Sequence, residues 1–581
     1  MIEIKDVDKR GFRTFGWVQD PSDFNALYRV VSIFNESSQI HKELVENKIA
    51  KLIEERDGRE RLLIALNSRP LKLKYGDLVG TAFSPRSSAR CNGIVQATVK
   101  GQQRPFISDW PADNFIRWAQ CLGFIKYNYY DDTFEITEIG LEFSNSEEEK
   151  RSEILEEALL SYSPAVRILS LLEDGTPKTK FELGKNLGFV GEDGFTSLPQ
   201  DILVMTLANE ENIQEKNKLR TDTEGSSDKY ARMIAKWLIK LDLLKQITKT
   251  VTVQVGNFTY TENIGQSYVI TAKGIKALNK ARGKSKFKRI PKNISWEMLA
   301  TKGIDRDYIR TRRAYIIKIL SENKNGITLE EIRDKLELLY MTSELFTVVK
   351  DDIEGLINIG LNITIKNSKY YFDDAINDFI IPRVEDNKNE KSEITIKKDE
   401  LREELDTLSH EYLSLVDLSF DSKQNRLFEM KVVELLTKEC KYKGLHLGGS
   451  RKPDGIIYTS DLSVNYGVII DTKAYSKGYD LPISQVDEMT RYIEETNRRD
   501  KTMNPNEWWN NFNKDVDEFY FTFISGEFKG NIEEKLERIT IRTHRNGAAI
   551  AIMSLIKLAN DIKAQRMDLK DVKDIFVNRV Y

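Results

Sequence analysis

Within its first 380 residues the chain repeats one pattern, an amphipathic helix, a short turn and a β segment, and no other feature limits the fold as much. One copy reads Trp118, Leu122, Phe124, Ile125 and Lys126, then Phe134, Ile136, Thr137 and Gly140. A second reads Trp237, Leu241, Leu243, Leu244 and Lys245, then Tyr268, Ile270, Thr271 and Gly274, with a longer hairpin. A weaker third passes through Ile353, Leu356, Ile357, Ile359 and Leu361 to Tyr370, Tyr371 and Phe372. Helices closed by a β-hairpin describe a winged helix, a variant of the helix-turn-helix. Self-similarity of this kind points to duplicated modules. Such modules also serve protein contacts; three in series, joined to the C-terminal block, favour DNA.

The second copy predicts its elements most clearly. Ala165–Leu172 reads as a first helix, closed by Glu173-Asp174-Gly175, and Lys180–Leu187 as a short second helix ended by Gly188. Ser226, Ser227 or Asp228 would cap a third helix running to about Leu244, with Val251–Val255 and Tyr268–Ile270 as the wing. The segment 273–292 holds nine Lys or Arg and no acid, which suits contact with a phosphate backbone. Such contacts position a protein on DNA without choosing a sequence.

At 581 residues the chain exceeds one core and predicts several domains. Its 88 basic and 91 acidic residues, net −3, exclude binding by bulk positive charge but are blind to a local basic face. Three scattered cysteines and four histidines show no zinc-ligand spacing. The charged N-terminus is no signal peptide, and no run of about 18 uncharged apolar residues exists to span a membrane. A cytoplasmic location is expected.

Residues 383–398 are polar and read as a linker. Beyond it, Pro453-Asp454 leads into the apolar run Gly455–Tyr458, and Tyr466–Ile470 reads as a buried strand ending in Asp471-Thr472-Lys473. On a strand, residues i and i+2 share a face, so Asp471 and Lys473 point the same way. If the two β segments pair, Asp454 joins them. Two carboxylates suit hard Mg²⁺, with the Thr472 carbonyl as a third ligand, and Lys473 would orient or activate a water and stabilise the transition-state charge. An upstream amphipathic helix (Leu427, Phe428, Val432, Leu435, Leu436) carries Glu429, which reads equally as a member of the metal's outer shell or as a solvent-facing glutamate.

Pro-Asp…Asp-x-Lys resembles the motif of the PD-(D/E)xK nucleases. The strings HLGGSRKPDG, DTKAYS, NPNEWW and SGEFKGN, together with RTFGWVQ, FTSLP, EGSSDKYARMI and WEMLAT, resemble the FokI-like type IIS restriction endonucleases over nearly the whole chain. The resemblance implies a multidomain protein: α+β winged-helix recognition subdomains over 1–150, 151–290 and 291–382, the linker 383–398, and an α/β nuclease domain with a mixed central sheet over 399–581. It implies an enzyme that binds a short asymmetric duplex site, GGATG or a related sequence, and cuts both strands at a fixed distance outside it, using Mg²⁺.

Carried over residue by residue, Asp454, Asp471 and Lys473 match the catalytic trio. Gln19, Arg86, Glu224, Lys229 and Arg232 match base-reading positions; Arg and Lys suit guanine, Glu suits cytosine N4 and Gln suits adenine. Asp487 and Arg491 match a transient homodimer contact; a purely intrahelical i,i+4 ion pair is the alternative, and the resemblance alone favours the interface role. Asp20 and Thr221 stand where the family has Asn, Ser88 and Asn92 where it has acids, and Lys477 where it has Gly, which leaves an altered site open. The nuclease domain would rest against the recognition half and swing out on the linker. No nucleotide-binding phosphate loop and no methyltransferase motif are present, so host protection implies a separate cognate DNA methyltransferase in a prokaryotic cytoplasm. The competing readings are a DNA-binding regulator with an inactive nuclease-like dimerisation domain, and a monomeric nicking or repair nuclease.

Overall fold

A computed structural model of the chain describes residues 2–7, 13, 15–81, 90–256, 258–284, 287–383, 391–459 and 464–581. The three sequence repeats become three matching sheets. In the first, Leu73–Lys74 pairs with Thr133–Ile136, which pairs with Ile125–Asn128. In the third, Ile327–Thr328 pairs with Lys369–Phe372 and that strand with Ile363–Lys366. The second keeps the same order with Lys178–Thr179, Phe258–Ile270 and Leu244–Val255.

Each two-residue strand runs straight into a helix, Tyr75–Val79, Lys180–Lys185 or Leu329–Tyr340. In the second and third copies a capping box starts that helix, Thr179 with Glu182 and Thr328 with Glu331. A longer helix then feeds each hairpin: Asp109–Cys121, Ser226–Lys240 or Phe346–Asn358.

The spacing shared by the first two copies has a steric origin. Thr137 and Thr271 cap the helix after the wing, accepting hydrogen bonds from the N–H groups of Gly140 and Gly274 at 3.1 and 2.9 Å. Their hydroxyls donate to the carbonyls of Gly123 and Asp242. A Cβ on Gly140 would lie 2.0 Å from the Phe124 carbonyl oxygen, and one on Gly274 2.2 Å from that of Leu243. The two tryptophans that open these copies, Trp118 and Trp237, stack on each other with centroids 4.9 Å apart and planes at 14°.

Three expectations for the second copy are corrected. Its long helix ends at Lys240, not near Leu244, because Leu244 already begins the first wing strand. Both wing strands are longer than read. Two further helices, Gln200–Asn209 and Ile213–Asp222, precede the long one. In the expected linker, residues 384–390 lie outside the described residues, and the helix Glu393–Glu404, capped by Ser392, begins within the polar stretch.

The chain divides into two compact units. One comprises Met1–Pro177, Lys229–Gln246 and Tyr268–Lys391. There Ile2–Asp6 pairs parallel with Phe379–Arg383, joining the start of the chain to the segment before the linker. The other comprises Lys178–Asp228, Ile247–Ser267 and Ser392–Tyr581. It is built on a six-stranded mixed sheet of β1 (Lys443–His446), β2 (Gly455–Tyr458), β3 (Gly467–Lys473), β4 (Phe519–Ser525), β5 (Gly547–Ala551) and β6 (Arg579–Val580), in that order. The first three strands are antiparallel and the rest parallel. Strand β3 is buried from Gly467 to Thr472, as a continuous apolar run in a sheet covered on both faces should be. Helices α1 (Asn425–Glu434), α2 (Ile483–Arg498) and α3 (Ile532–Thr543) belong to this unit. No helix among the described residues is long and apolar enough to cross a membrane.

Candidate active site and DNA-reading residues

The register of β2 on β3 pairs Gly455 with Ile470, so Asp454, one residue earlier, lies opposite Asp471. The Thr472 N–H donates to Asp454 Oδ2 at 2.7 Å, and the Thr472 hydroxyl donates to the same oxygen at 3.0 Å. The Asp454 main-chain carbonyl accepts from the N–H of Leu447 at 2.9 Å and from that of Gly448 at 3.3 Å. Lys473 places Nζ 2.7 Å from Asp471 Oδ2. That approach is ionic, without hydrogen-bond alignment, and Asp471 Oδ2 is otherwise a buried oxygen with no donor. The structure therefore brings Asp454, Asp471, Thr472 and Lys473 together.

Burial pushes the Asp454 carboxyl well above the usual carboxylate range, and the charges of Glu429 and Asp471 push it further. Asp471 is also raised by burial, with Lys473 opposing. Burial alone would lower the Lys473 ammonium, but Asp471 and Asp454 carry it above its ordinary value. Glu429 is not solvent-facing: its carboxylate meets Nε2 of the buried His446 at 3.0 Å. Burial would raise Glu429, and the His446 hydrogen bond and charge outweigh it.

Among the described residues no three His, Cys, Asp or Glu groups are already gathered at metal-ligand distances. The donor set nevertheless fits a divalent cation. Two carboxylates meet across the paired ends of β2 and β3 beside the Thr472 main chain, both raised by burial, and hard oxygens of this kind suit such an ion.

The base-reading expectations meet the structure unevenly. Arg86 and Ser88 lie outside the described residues. The Gln19 N–H donates to Asn114 Oδ1 at 3.3 Å. Its neighbours tie that segment to the long helix of the second copy: Trp17 packs on Tyr230 with centroids 4.9 Å apart, and Trp237 Nε1 donates to the Pro21 carbonyl at 2.9 Å. Lys229 and Arg232, half-buried, lie on that helix. Glu224, just before it, accepts from Lys180 Nζ at 2.5 Å in a nearly dry pair.

Several cations of the basic run 273–292, expected to suit phosphate contact, already have acidic partners. Lys273, Lys280, Arg282, Lys284 and Arg289 pair with Glu156, Glu157, Glu173, Glu173 and Asp374. Lys292 is buried, donates to three main-chain carbonyls, and is pushed down to about 8 by burial. Lys286 lies outside the described residues, and Lys276 and Lys288 are exposed.

Asp487 and Arg491 both lie on α2 and do not pair with each other. Asp487 accepts from Arg542 on α3 at 2.8 Å, and Arg491 reaches Glu488 at 3.2 Å and Glu495 at 3.7 Å. Sequence reasoning missed the contacts of His446 and Lys180, and read Asp228 only as a candidate helix cap. The Asp228 carboxylate ties the turn at Ser197-Leu198 to Gly225, and burial raises it to about 7.

Repeated wing modules followed by a mixed sheet carrying an Asp–Asp–Lys centre define a nuclease of the PD-(D/E)xK type with attached recognition modules. Family models for the FokI recognition domain match residues 13–146 (subdomain 1) and 151–286 (subdomain 2), the FokI D3 domain matches 299–368, and the FokI cleavage domain matches 391–580. The type II restriction enzyme FokI of Planomicrobium okeanokoites is 47% identical over 97% of this chain and 98% of its own. The type II restriction enzyme StsI of Streptococcus sanguinis is 35% identical over 98% and 96%. The solved structure of restriction endonuclease FokI bound to DNA matches with a TM-score of 0.93 at 46% identity, covering 98% of this chain and 99% of that one. The chain belongs to the FokI family of type II restriction endonucleases, whose activity depends on divalent metal.

Proposed function

We propose that the chain is a type IIS restriction endonuclease whose cleavage centre is Asp454, Asp471 and Lys473 and whose cation is Mg²⁺. The observation that carries this reading is the convergence of those side chains across the β2–β3 register in a chain of this family. Asp454, fixed by Thr472, and Asp471, paired with Lys473, would hold the ion together with the Thr472 carbonyl. When bound, Mg²⁺ lowers the pKa of a coordinated water and neutralises charge on the scissile phosphate. Lys473 orients the attacking water and stabilises the added negative charge of the transition state.

Gln19, Arg86, Glu224, Lys229 and Arg232 would read an asymmetric site, GGATG or a relative of it. The bound site sets the register, and the nuclease domain cuts beyond it. One centre serves one strand, so double-strand cleavage calls for a second nuclease domain, with Asp487 and Arg491 at the contact. A separate methyltransferase would protect host DNA in the prokaryotic cytoplasm.

The test is direct. Unmethylated plasmid incubated with the protein and Mg²⁺ should give discrete double-strand ends at a constant offset from one short sequence. Asp471→Ala should lower the rate on the order of 10³-fold, as loss of a transition-state charge partner does, with DNA binding retained. Wild-type binding without cleavage would sink the proposal, and nicks confined to one strand would favour a monomeric enzyme.

A further inference from the structure

His446 ends β1 opposite Gly455, the residue that follows Asp454, and its side chain is fully buried. The turn after it clasps the Asp454 main chain through the Leu447 and Gly448 N–H groups. Gly448 is in the left-handed region (φ +48°), and a Cβ there would come 2.7 Å from His446 Cε1, so the imidazole is packed by a bare backbone. The ring is held on both sides. Nδ1 lies 3.2 Å from the Thr206 hydroxyl, on the helix Gln200–Asn209 of the same compact unit. Nε2 lies 3.0 Å from Glu429 Oε2. An ionised carboxylate only accepts, so the proton in that bond sits on Nε2.

Glu429 would not face the centre by default. A glutamate has three rotatable bonds, and free rotation would let it seek water. Glu429 is held there by geometry: it bonds His446, whose strand partner Gly455 directly follows Asp454, and its charge acts to raise the Asp454 carboxyl. Something has to keep the acid there, and the geometry assigns that to the imidazole.

We propose that His446 is a positioning residue of the cleavage centre, holding the Glu429 carboxylate on the side of Asp454 so that its negative charge strengthens the hold of Asp454 and Asp471 on a divalent cation. The inference rests on the metal-dependent reading of that centre. It gives the Glu429 charge a role beside the centre and explains why a histidine precedes the two glycines ahead of Pro453-Asp454.

The test uses the full chain without DNA and Mn²⁺ as a paramagnetic probe that oxygen donors accept, with bound and free ion separated by electron paramagnetic resonance. Asp471→Ala identifies which bound ion belongs to the centre. His446→Leu is expected to weaken that site on the order of tenfold, the usual effect of removing an outer partner of a metal site. Glu429→Gln should weaken it similarly, and the double variant should lose no more than Glu429→Gln alone, because His446 acts through Glu429. His446→Gln, whose amide N–H reaches the same carboxylate, should recover most of the affinity at an unchanged melting temperature. This variant keeps the test decisive if His446→Leu does not fold. Wild-type affinity in His446→Leu, additive losses, or failure of a folded His446→Gln to recover would overturn the inference while leaving the centre intact. Absence of Asp471-dependent Mn²⁺ binding in the wild type would instead overturn the metal-dependent reading and the inference with it.

Discussion

Asp454 and Asp471 face each other because two short strands pair, and without a cation that proximity destabilises the fold. An unfolded aspartate ionises near pH 3.9, whereas both groups in the folded chain ionise at higher pH. Between those values the folded state holds more protons than the unfolded state. Stability is therefore greatest below the unfolded value and falls as pH rises through the folded one. Asp454→Asn removes one charge and keeps an acceptor for Thr472. Measured by calorimetry at pH 8 in chelator, it is expected to raise the melting temperature on the order of 2–4 °C, with a smaller gain at pH 5. Added Mg²⁺ should stabilise the wild type and not the variant; a variant that melts lower than wild type at pH 8 would contradict this.

The Asp454–Asp471–Lys473 arrangement was legible in the sequence because a period of two and one hairpin determine it. Glu429 was marked on its helix without a choice between two roles, and its pairing with His446 was not legible, since a helix and a strand bring the two together with no local signature. The ion pairs of the run 273–292 were hidden for a related reason: the acids come from distant parts of the chain, Glu156 to Asp374.

At the scale of the element, the repeat that organised the sequence is a packing rule. The threonine caps the helix, and the glycine three residues on lets that helix sit on a carbonyl of the preceding turn, Phe124 in one copy and Leu243 in the other. Gly274→Ala would drive a methyl into the Leu243 oxygen. Overpacking of this kind costs about 1–3 kcal/mol. The expected outcome is a matching fall in unfolding free energy and weaker site-specific DNA binding, because the shifted helix packs after the wing. An unchanged midpoint in urea would show that the turn yields freely.

The third copy ends its hairpin in Phe372 with no Thr-x-x-Gly after it, which is why it read as the weakest. Two-residue strands such as Lys178–Thr179 were invisible to periodicity, since two residues carry no period. The helices Gln200–Asn209 and Ile213–Asp222 escaped because they fall between motifs with clearer caps.

At the scale of the molecule, sequence reading placed the division at the polar stretch after Arg383, whereas compactness groups Lys178–Asp228 and Ile247–Ser267 with the nuclease sheet. Ile202, Leu203 and Met205 share one apolar cluster with Phe428, Leu445 and Ile457, a partnership between segments far apart in the chain that no linear pattern announces. The sequence carries a single Pro-Asp…Asp-x-Lys constellation, while the strands of a duplex present their phosphates in opposite directions, so the double-strand break proposed above calls for a second, symmetry-related centre.

The proposed contact for that second copy lies on helix α2, next to α3. Ile483 and Ile541 are 50% and 74% exposed, beside the solvent-facing Asp487–Arg542 pair and the partly exposed Arg491. Replacing both Asp487 and Arg491 by alanine should slow double-strand cleavage on the order of tenfold, the loss of about 1.4 kcal/mol of association, while nicked circles accumulate and DNA binding is unchanged. For the wild type, the cleavage rate should rise more steeply than in proportion to protein concentration. At limiting wild type, added Asp471→Ala chain should speed consumption of the plasmid but divert it to nicked circles, since each mixed pair holds one working centre. Strict first-order dependence on protein, with linear product unchanged by the added chain, would show instead that one copy cuts both strands in turn.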